Sequence, residues 1–186
     1  MVVNSYLFTS QRLGFRNWAI DDLNEFSKIN NDDDVMEFFP FKPSREESKA
    51  FILRMQKHYE AKKFCYFAVD HLKTKKFIGF IGLCSQSYIT ELSPFVDIGW
   101  RLKKSIWNRG FATEGARACL DYGFNKIGLQ TIYSVASEIN VKSELIMKKI
   151  GMHKIKNFKH PKLNTYPALE SCVFYKISNP DTTQYR

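Results

Sequence analysis

The stretch that most constrains this chain is Phe95-Val96-Asp97-Ile98-Gly99-Trp100-Arg101-Leu102, followed four residues later by Trp107-Asn108-Arg109-Gly110-Phe111-Ala112-Thr113-Glu114-Gly115-Ala116. The first part predicts a buried strand. The second predicts a tight loop that enters a helix whose first residues are small. At a helix start the first N–H groups lack partners within the helix and together carry roughly half a positive charge. Gly110 has no Cβ and Ala112 only a methyl group, so an anion can approach those N–H groups closely, and Arg109 adds a fixed charge at the mouth. A bare Gly-x-Ala also serves as a plain strand-to-helix turn, so its surroundings must decide. Neither the Gly-Lys-Ser/Thr of a triphosphate loop nor the Gly-x-Gly-x-x-Gly of a dinucleotide fold is present.

A chain of 186 residues suits one domain, expected here over residues 1–186, and is long enough to bury a core. No apolar run approaches the length of a membrane span, and Met1-Val2-Val3-Asn4-Ser5 lacks the charged and apolar regions of a signal peptide. A cytoplasmic chain with no membrane partner is expected. Cys65, Cys84, Cys119 and Cys172 are far apart, with no Cys-x-x-Cys and no histidine at ligand spacing. They read as buried free thiols, and no metal is expected. The formal charge of +9 raises a nucleic-acid partner. The lysines are spread along the chain, however, and a phosphate-bearing ligand asks for positive charge too, which argues against nucleic acid. The oligomeric state is not written in the sequence.

In chain order, residues 13–18 form a first strand, and Asp21-Asp22 cap a helix in which Leu23, Phe26 and Ile29 share a face. The run Asn30-Asn31-Asp32-Asp33-Asp34 reads as a solvated loop, because it lacks the alternation, glycine and final glutamate of a calcium loop. Ser44-Arg45-Glu46-Glu47 is a capping box opening a helix that buries Phe51, Ile52, Met55 and Tyr59. Residues 64–70 and 76–87 predict an antiparallel hairpin, with Gly79 and Gly82 marking a bulge or a close backbone approach. After the central strand, a helix is expected over residues 112–126, its Gly115 explained by close contact with a strand or a ligand. A strand at 131–136 follows, then a helix begun by Asn140 and carried by Leu145, Ile146 and Ile150. Two last strands, 152–158 and 171–177, flank the loop 160–167.

The loop at Gly110 resembles the acyl-CoA pyrophosphate loop of the GNAT superfamily of N-acetyltransferases, Gln/Arg-x-x-Gly-x-Gly/Ala. Gly110 and Ala112 fit that pattern, while Trp107 stands in the first position, as in the branch that contains ribosomal-protein N-terminal acetyltransferases. Asn108 replaces a glycine common in that branch. Asn140-x-x-Ser143 with Gly151-Met152 resembles the second CoA element of the family, and the likeness runs from residue 13 to residue 177. It implies an α+β fold with a mixed, mostly antiparallel central sheet flanked by helices, and an enzyme that uses acetyl-CoA and an amine acceptor. The strands at 95–102 and 131–136 would splay apart to admit the pantetheine arm. Trp100, Arg101 and Leu102 would bond that arm through their backbone. Arg109, Gly110, Phe111, Ala112 and Thr113 would hold the diphosphate, and Asn140 and Ser143 would contact the cofactor from the next helix.

The resemblance also implies that a carboxylate on the central strand, here Asp97, takes the proton of the acceptor amine, with a structural carboxylate as the competing role. The tyrosine that often serves as general acid is replaced by Met147, so His160, Tyr166 or Tyr133 would have to supply that proton, and Glu91 is a fallback for the base. Deprotonating a lysine amine at neutral pH costs roughly 4–5 kcal/mol and an α-amine only ~1–1.5 kcal/mol. A short aspartate without a tyrosine acid therefore fits a protein N-terminus or another low-pKa amine better. His160, on the loop between the last strands, is expected to handle the acceptor. Two other functions stay open from the residues: a non-catalytic acyl-CoA sensor on the same fold, and a basic nucleic-acid-binding protein.

Overall fold

A computed structural model describes residues 6–88 and 93–180. Eight strands form one sheet in the order β1-β2-β3-β4-β5-β6-β8-β7. They are β1 (Phe8–Thr9), β2 (Leu13–Arg16), β3 (Tyr66–His71), β4 (Lys76–Gln86), β5 (Phe95–Leu102), β6 (Thr131–Ser137), β7 (His153–Lys159) and β8 (Ser171–Ser178). The helices are α1 (Leu23–Asn31), α2 (Asp33–Met36), α3 (Arg45–Lys62), α4 (Phe111–Asp121), α5 (Val141–Lys149) and α6 (Pro167–Glu170). Every neighbouring pair is antiparallel except β5 and β6, which run parallel. The expected α+β architecture is present.

The two faces of the sheet carry different helices. On one, Trp18, Phe26, Phe51 and Phe80 form an edge-to-face and tilted aromatic cluster that holds α1 and α3 against β4. On the other lies α4. Gly115 packs so tightly on Ile81 and Leu13 that a Cβ there would collide with their side chains, so the strand, and not a ligand, explains this glycine.

Several boundaries differ from the sequence reading for local reasons. A short β1 precedes the first strand, which ends at Arg16, while Trp18 turns inward and donates its indole N–H to the Tyr66 carbonyl at 2.6 Å. Asp22 does not cap α1; with Asp70 it clamps the Arg16 guanidinium in the interior, at 2.7 and 2.8 Å. Asp32 is the side chain that does cap, accepting from the Asp34 and Val35 N–H groups at the start of α2. The Ser44–Glu47 capping box forms as expected. Of the four side chains expected inside α3, Ile52 and Met55 are buried, while Phe51 and Tyr59 pack part-buried against the core. Helix α4 starts one residue early, and residues Tyr122–Lys126 widen into a π-helical turn. In α5 the buried residue is Met147, and Leu145 stands 49% exposed. Residues 89–92, including Glu91 and most of the loop before β5, lie outside the described residues, as do residues 1–5.

All four cysteines are free and buried. Among the described residues no helix is long and apolar enough to cross a membrane.

Arg16 supplies the clearest stability test. It is 6% exposed and charge-paired with two carboxylates, which would face each other unneutralised without it. Arg16→Met is expected to lose about 3–5 kcal/mol of unfolding free energy, the range for breaking a buried ion pair. Urea denaturation at neutral pH reads the loss; a change under about 1 kcal/mol would contradict the clamp.

Candidate active site

The site begins where β5 and β6 part. Their register holds a single partner pair, Asp97 opposite Tyr133, supplemented by the Ser134 hydroxyl donating to the Ile98 carbonyl at 3.0 Å. Beyond that point the strands diverge. Backbone groups alternate sides along a strand. The Lys103 N–H donates to Ile78 on β4, so the groups of Gly99 and Arg101 also face β4, and those of Trp100 and Leu102 face the gap. The Leu102 carbonyl is taken by the Trp107 indole N–H at 2.8 Å. The Trp100 N–H and C=O and the Leu102 N–H are left along the gap. Of the three residues expected to offer backbone bonds there, Arg101 is turned the other way, because its backbone belongs to the β4 ladder.

At the mouth of the gap lies the start of α4. The chain turns through Asn108 at φ 59° and Gly110 at φ 79°, both left-handed. Asparagine tolerates that region better than most residues, which is how the loop keeps its shape without a glycine at position 108. Asp32, Ser44 and Asn140 cap α2, α3 and α5 with their own side chains, whereas α4 begins on Gly110 with no side-chain cap. The N–H groups of Phe111, Ala112 and Thr113 are therefore open, and the first helical bond runs from Glu114 N–H to the Gly110 carbonyl. Open N–H groups at a helix start can receive an anion.

The cradle is braced by residues the sequence reading passed over. Glu114 accepts from the Ser10 hydroxyl at 2.7 Å, the Arg12 backbone N–H at 2.7 Å and Arg12 Nε at 2.6 Å. Arg12 Nη1 donates to the Arg109 carbonyl, and its guanidinium lies 4.2 Å from the Phe111 ring centre. These bonds tie the turn before β2 to the start of α4. Burial raises the carboxyl of Glu114, but the bonds from Ser10 and Arg12 outweigh it and hold the group below its ordinary value. The Thr113-Glu114 pair was the available signal, but nothing local says that its partner lies a hundred positions upstream.

A cleft of about 380 Å³ joins these parts, lined by Trp100, Arg101, Leu102, Gly110, Phe111, Ala112, Thr113, Asn140 and Ser143 among others. Asn140 is also the cap of α5, its side chain accepting from the Ser143 N–H at 3.1 Å. Arg109 is exposed at the rim. An uncapped helix start beside free strand-edge amides, with lysines 142 and 149 on the wall, fits a ligand carrying a diphosphate and an amide-bearing arm. Among the described residues no group of His, Cys, Asp and Glu is disposed to hold a metal ion.

Asp97 is not among the residues that line the cleft. It is 9% exposed and accepts from the Tyr66 hydroxyl at 2.6 Å and from Gln86 Nε2 at 3.0 Å, and Gln86 also donates to Tyr66. Burial pushes its carboxyl up to about 6, against the opposing pull of those two hydrogen bonds. Tyr66 and Gln86 are functional candidates the sequence could not flag, since they come from separate strands. His160 is not brought to Asp97. It sits against Tyr88 and Phe158 on an aromatic cluster with Phe95, Tyr133 and Phe174, and accepts from the Lys162 N–H at Nδ1. Burial, then the charge of Lys162, lowers its pKa. Met147 is 1% exposed in the main core, Tyr133 stacks on Phe174 opposite Asp97, and Tyr166 is 36% exposed.

Tyr66→Phe removes a hydrogen bond that favours the charged carboxylate, so the Asp97 pKa is expected to rise above about 6. The titration of its carboxyl ¹³C resonance measures this. An unchanged or lower midpoint would mean that the Tyr66 bond is not made in solution.

The Acetyltransferase (GNAT) domain family matches residues 12–153. The Bacillus subtilis (strain 168) protein named uncharacterized N-acetyltransferase YnaD is 29% identical over 157 residues, covering 81% of this chain and 85% of its own. Solved structures of other acetyltransferases share the fold. A ribosomal-protein-S5-alanine acetyltransferase from Vibrio fischeri superposes at a TM-score of 0.74 with 20% identity, covering 94% and 97% of the two chains. A spermidine N-acetyltransferase from Vibrio cholerae, in complex with CoA and spermine, gives 0.70 with 20% identity over 90% and 96%. The chain belongs to the GNAT acetyltransferase family and is an acetyl-CoA-dependent acetyltransferase.

Proposed function

We propose that this protein is an N-acetyltransferase that moves the acetyl group of acetyl-CoA directly to a primary amine, a protein N-terminal α-amine or a small-molecule amine, within one ternary complex. The observation that carries the reading is the uncapped start of α4 at the mouth of the β5–β6 gap, with a buried carboxylate, Asp97, at the point where the two strands part. The N–H groups of Phe111, Ala112 and Thr113, with Arg109 at the rim, would receive the diphosphate. The free backbone groups of Trp100 and Leu102 would bond the pantetheine arm, and Asn140 and Ser143 would close the cleft from α5. Four buried free thiols and the lack of a spanning helix among the described residues agree with a cytoplasmic protein.

Asp97 would take the proton from the acceptor amine, directly or through water, with Tyr66 and Gln86 fixing its orientation. Its carboxyl near 6 favours a weakly basic acceptor. Drawing a proton from an α-ammonium of pKa about 7.7–8.0 to such a carboxylate is uphill by roughly 2.5 kcal/mol, against roughly 6 kcal/mol for a lysine. That difference supports an N-terminal or otherwise low-pKa amine. The aromatic cluster around His160 would line the acceptor side. Met147 lies in the core and offers no proton, so the departing thiolate would leave without an acid from α5.

Two variants test the two halves of the site. Gly110→Val places a β-branched side chain at φ 79° and in the path of the phosphates, so calorimetric binding of acetyl-CoA is expected to disappear from an otherwise folded protein. Undiminished binding would show that the cradle is elsewhere. Asp97→Asn is expected to cut kcat by about 10²–10⁴-fold while leaving acetyl-CoA affinity unchanged, with the deficit shrinking as pH rises and the amine deprotonates by itself. Near-parental kcat at neutral pH would remove Asp97 from the chemistry.

A further inference from the structure

The gap-facing edge of β5 is closed at both ends by side chains of this chain. The Ile98 carbonyl receives the Ser134 hydroxyl at 3.0 Å, and the Leu102 carbonyl receives the Trp107 indole N–H at 2.8 Å. Trp107 is brought to that place by a single helical turn, Lys104–Ile106, with its own backbone N–H donating to the Lys104 carbonyl at 3.1 Å. Its ring lines the cleft beside Trp100 and Leu102, and Lys142 Nζ lies 5.0 Å from the ring centre. Satisfying a carbonyl is ordinary for a part-buried indole. The choice of carbonyl, however, changes what the strand edge can offer a ligand.

Along a strand edge each outward-facing residue presents one N–H and one C=O, and the pattern repeats every second residue, about 7 Å. With the Leu102 carbonyl open, this edge would present two equivalent rungs, at Trp100 and at Leu102, and a docked amide-bearing arm could settle on either. Register along a strand is weakly specified where the rungs are alike. The indole removes that ambiguity. Among the described residues Trp100 keeps both its N–H and its C=O for the gap, while Leu102 keeps only its N–H and the Ile98 carbonyl is taken by Ser134.

We infer that Trp107 is a positioning residue: by occupying the Leu102 carbonyl it confines the amide-bearing arm of acetyl-CoA to the single complete rung at Trp100, and so fixes how far the thioester travels along the gap. This rests on the acetyltransferase reading above. The open N–H groups of α4 lie at the mouth, and the gap closes where Asp97 pairs with Tyr133. With its phosphates received at the mouth, an arm docked on the Leu102 rung would buckle and stop its thioester about 7 Å short of the position it reaches from Trp100. Such a complex binds but does not react, since transfer demands placement far finer than one rung. The indole acts through a backbone carbonyl and not on the reacting atoms.

The test uses acetyl-CoA labelled with ¹³C at the thioester carbonyl and bound to the intact protein without an acceptor. The parent is expected to show one bound carbonyl resonance. Trp107→Phe keeps an aromatic ring beside Lys142 but lacks the N–H, and is expected to show a second bound resonance, or one displaced by exchange between the two registers. Turnover is then followed with the amine that the parent acetylates fastest from a panel of peptide amides and spermidine. The variant's kcat is expected to fall by about twofold or more, as two registers of similar energy would give. Its KM for acetyl-CoA is expected to fall by the same factor, because idle binding withdraws enzyme without weakening the productive complex. If the indole only satisfied a carbonyl or held the loop, KM would instead rise beside a single unmoved resonance, and that result overturns the inference. Unchanged kinetics in the variant, or two bound resonances in the parent, overturn it as well while leaving the acetyltransferase reading intact. If Trp107→Phe does not fold, Trp107→Met, which also lacks the donor, is read in the same way. Absence of calorimetric acetyl-CoA binding to the parent would sink both readings.

Discussion

Parallel pairing of β5 with β6 lasts for one residue pair, and the rest of the site depends on how early it ends. Once two neighbouring strands diverge, the inward-facing backbone groups of each lose the partner that the sheet would have supplied, and buried backbone groups need partners. One carbonyl of the group is retired internally by the Trp107 indole, and another, at Ile98, by the Ser134 hydroxyl. The groups of Trp100 and Leu102 that remain form a short strand edge inside the molecule, open to an amide-bearing arm.

The mouth of that gap is held by contacts reaching across the chain. Helix α4 gains its position from Gly115 lying flat on Ile81 and Leu13, and its first turn is fixed by Glu114 receiving Ser10 and Arg12. The consequence is electrostatic. A helix start without a side-chain cap would ordinarily be solvated, but here its open N–H groups look into a cleft with Lys142 and Lys149 on the wall. Part of the basic excess in the composition thus stands beside the open N–H groups of α4.

Asp97 is a buried carboxyl held at a cost in stability. Its folded pKa, about 6, lies above the ordinary carboxylate value. The protonated form is therefore favoured by folding, and the stability linked to this group is complete below the ordinary carboxylate range and lost as pH rises through about 6. At neutral pH the buried carboxylate destabilises the fold. Tyr66 and Gln86 limit that loss by donating to it, and in doing so they fix the direction of its lone pairs. Arg101 bears a similar burden on the same face, without a carboxylate to relieve it.

By itself the sequence determined the features that rest on neighbouring residues: the α4 loop, legible from Gly110 and Ala112 because small residues at a helix start are a local backbone requirement; the Ser44–Glu47 cap; and the α5 start at Asn140. Where a role depended on residues far apart in the chain, tertiary structure decided. Glu114 could not be matched to Ser10 and Arg12, nor Asp97 to Tyr66 and Gln86, because hydrogen bonds between distant segments leave no periodicity in any one of them. Asp22 was read as a cap since aspartate before a helix usually is one, and only the arrival of Arg16 and Asp70 from adjacent strands made it an ion-pair partner instead. His160 was assigned to the acceptor side by its place between the last strands, and its packing on the Tyr88 cluster was decided by the fold. Which backbone groups of β5 are free was decided by the register with β4, since hydrogen-bond direction alternates residue by residue and only the paired strand sets its phase.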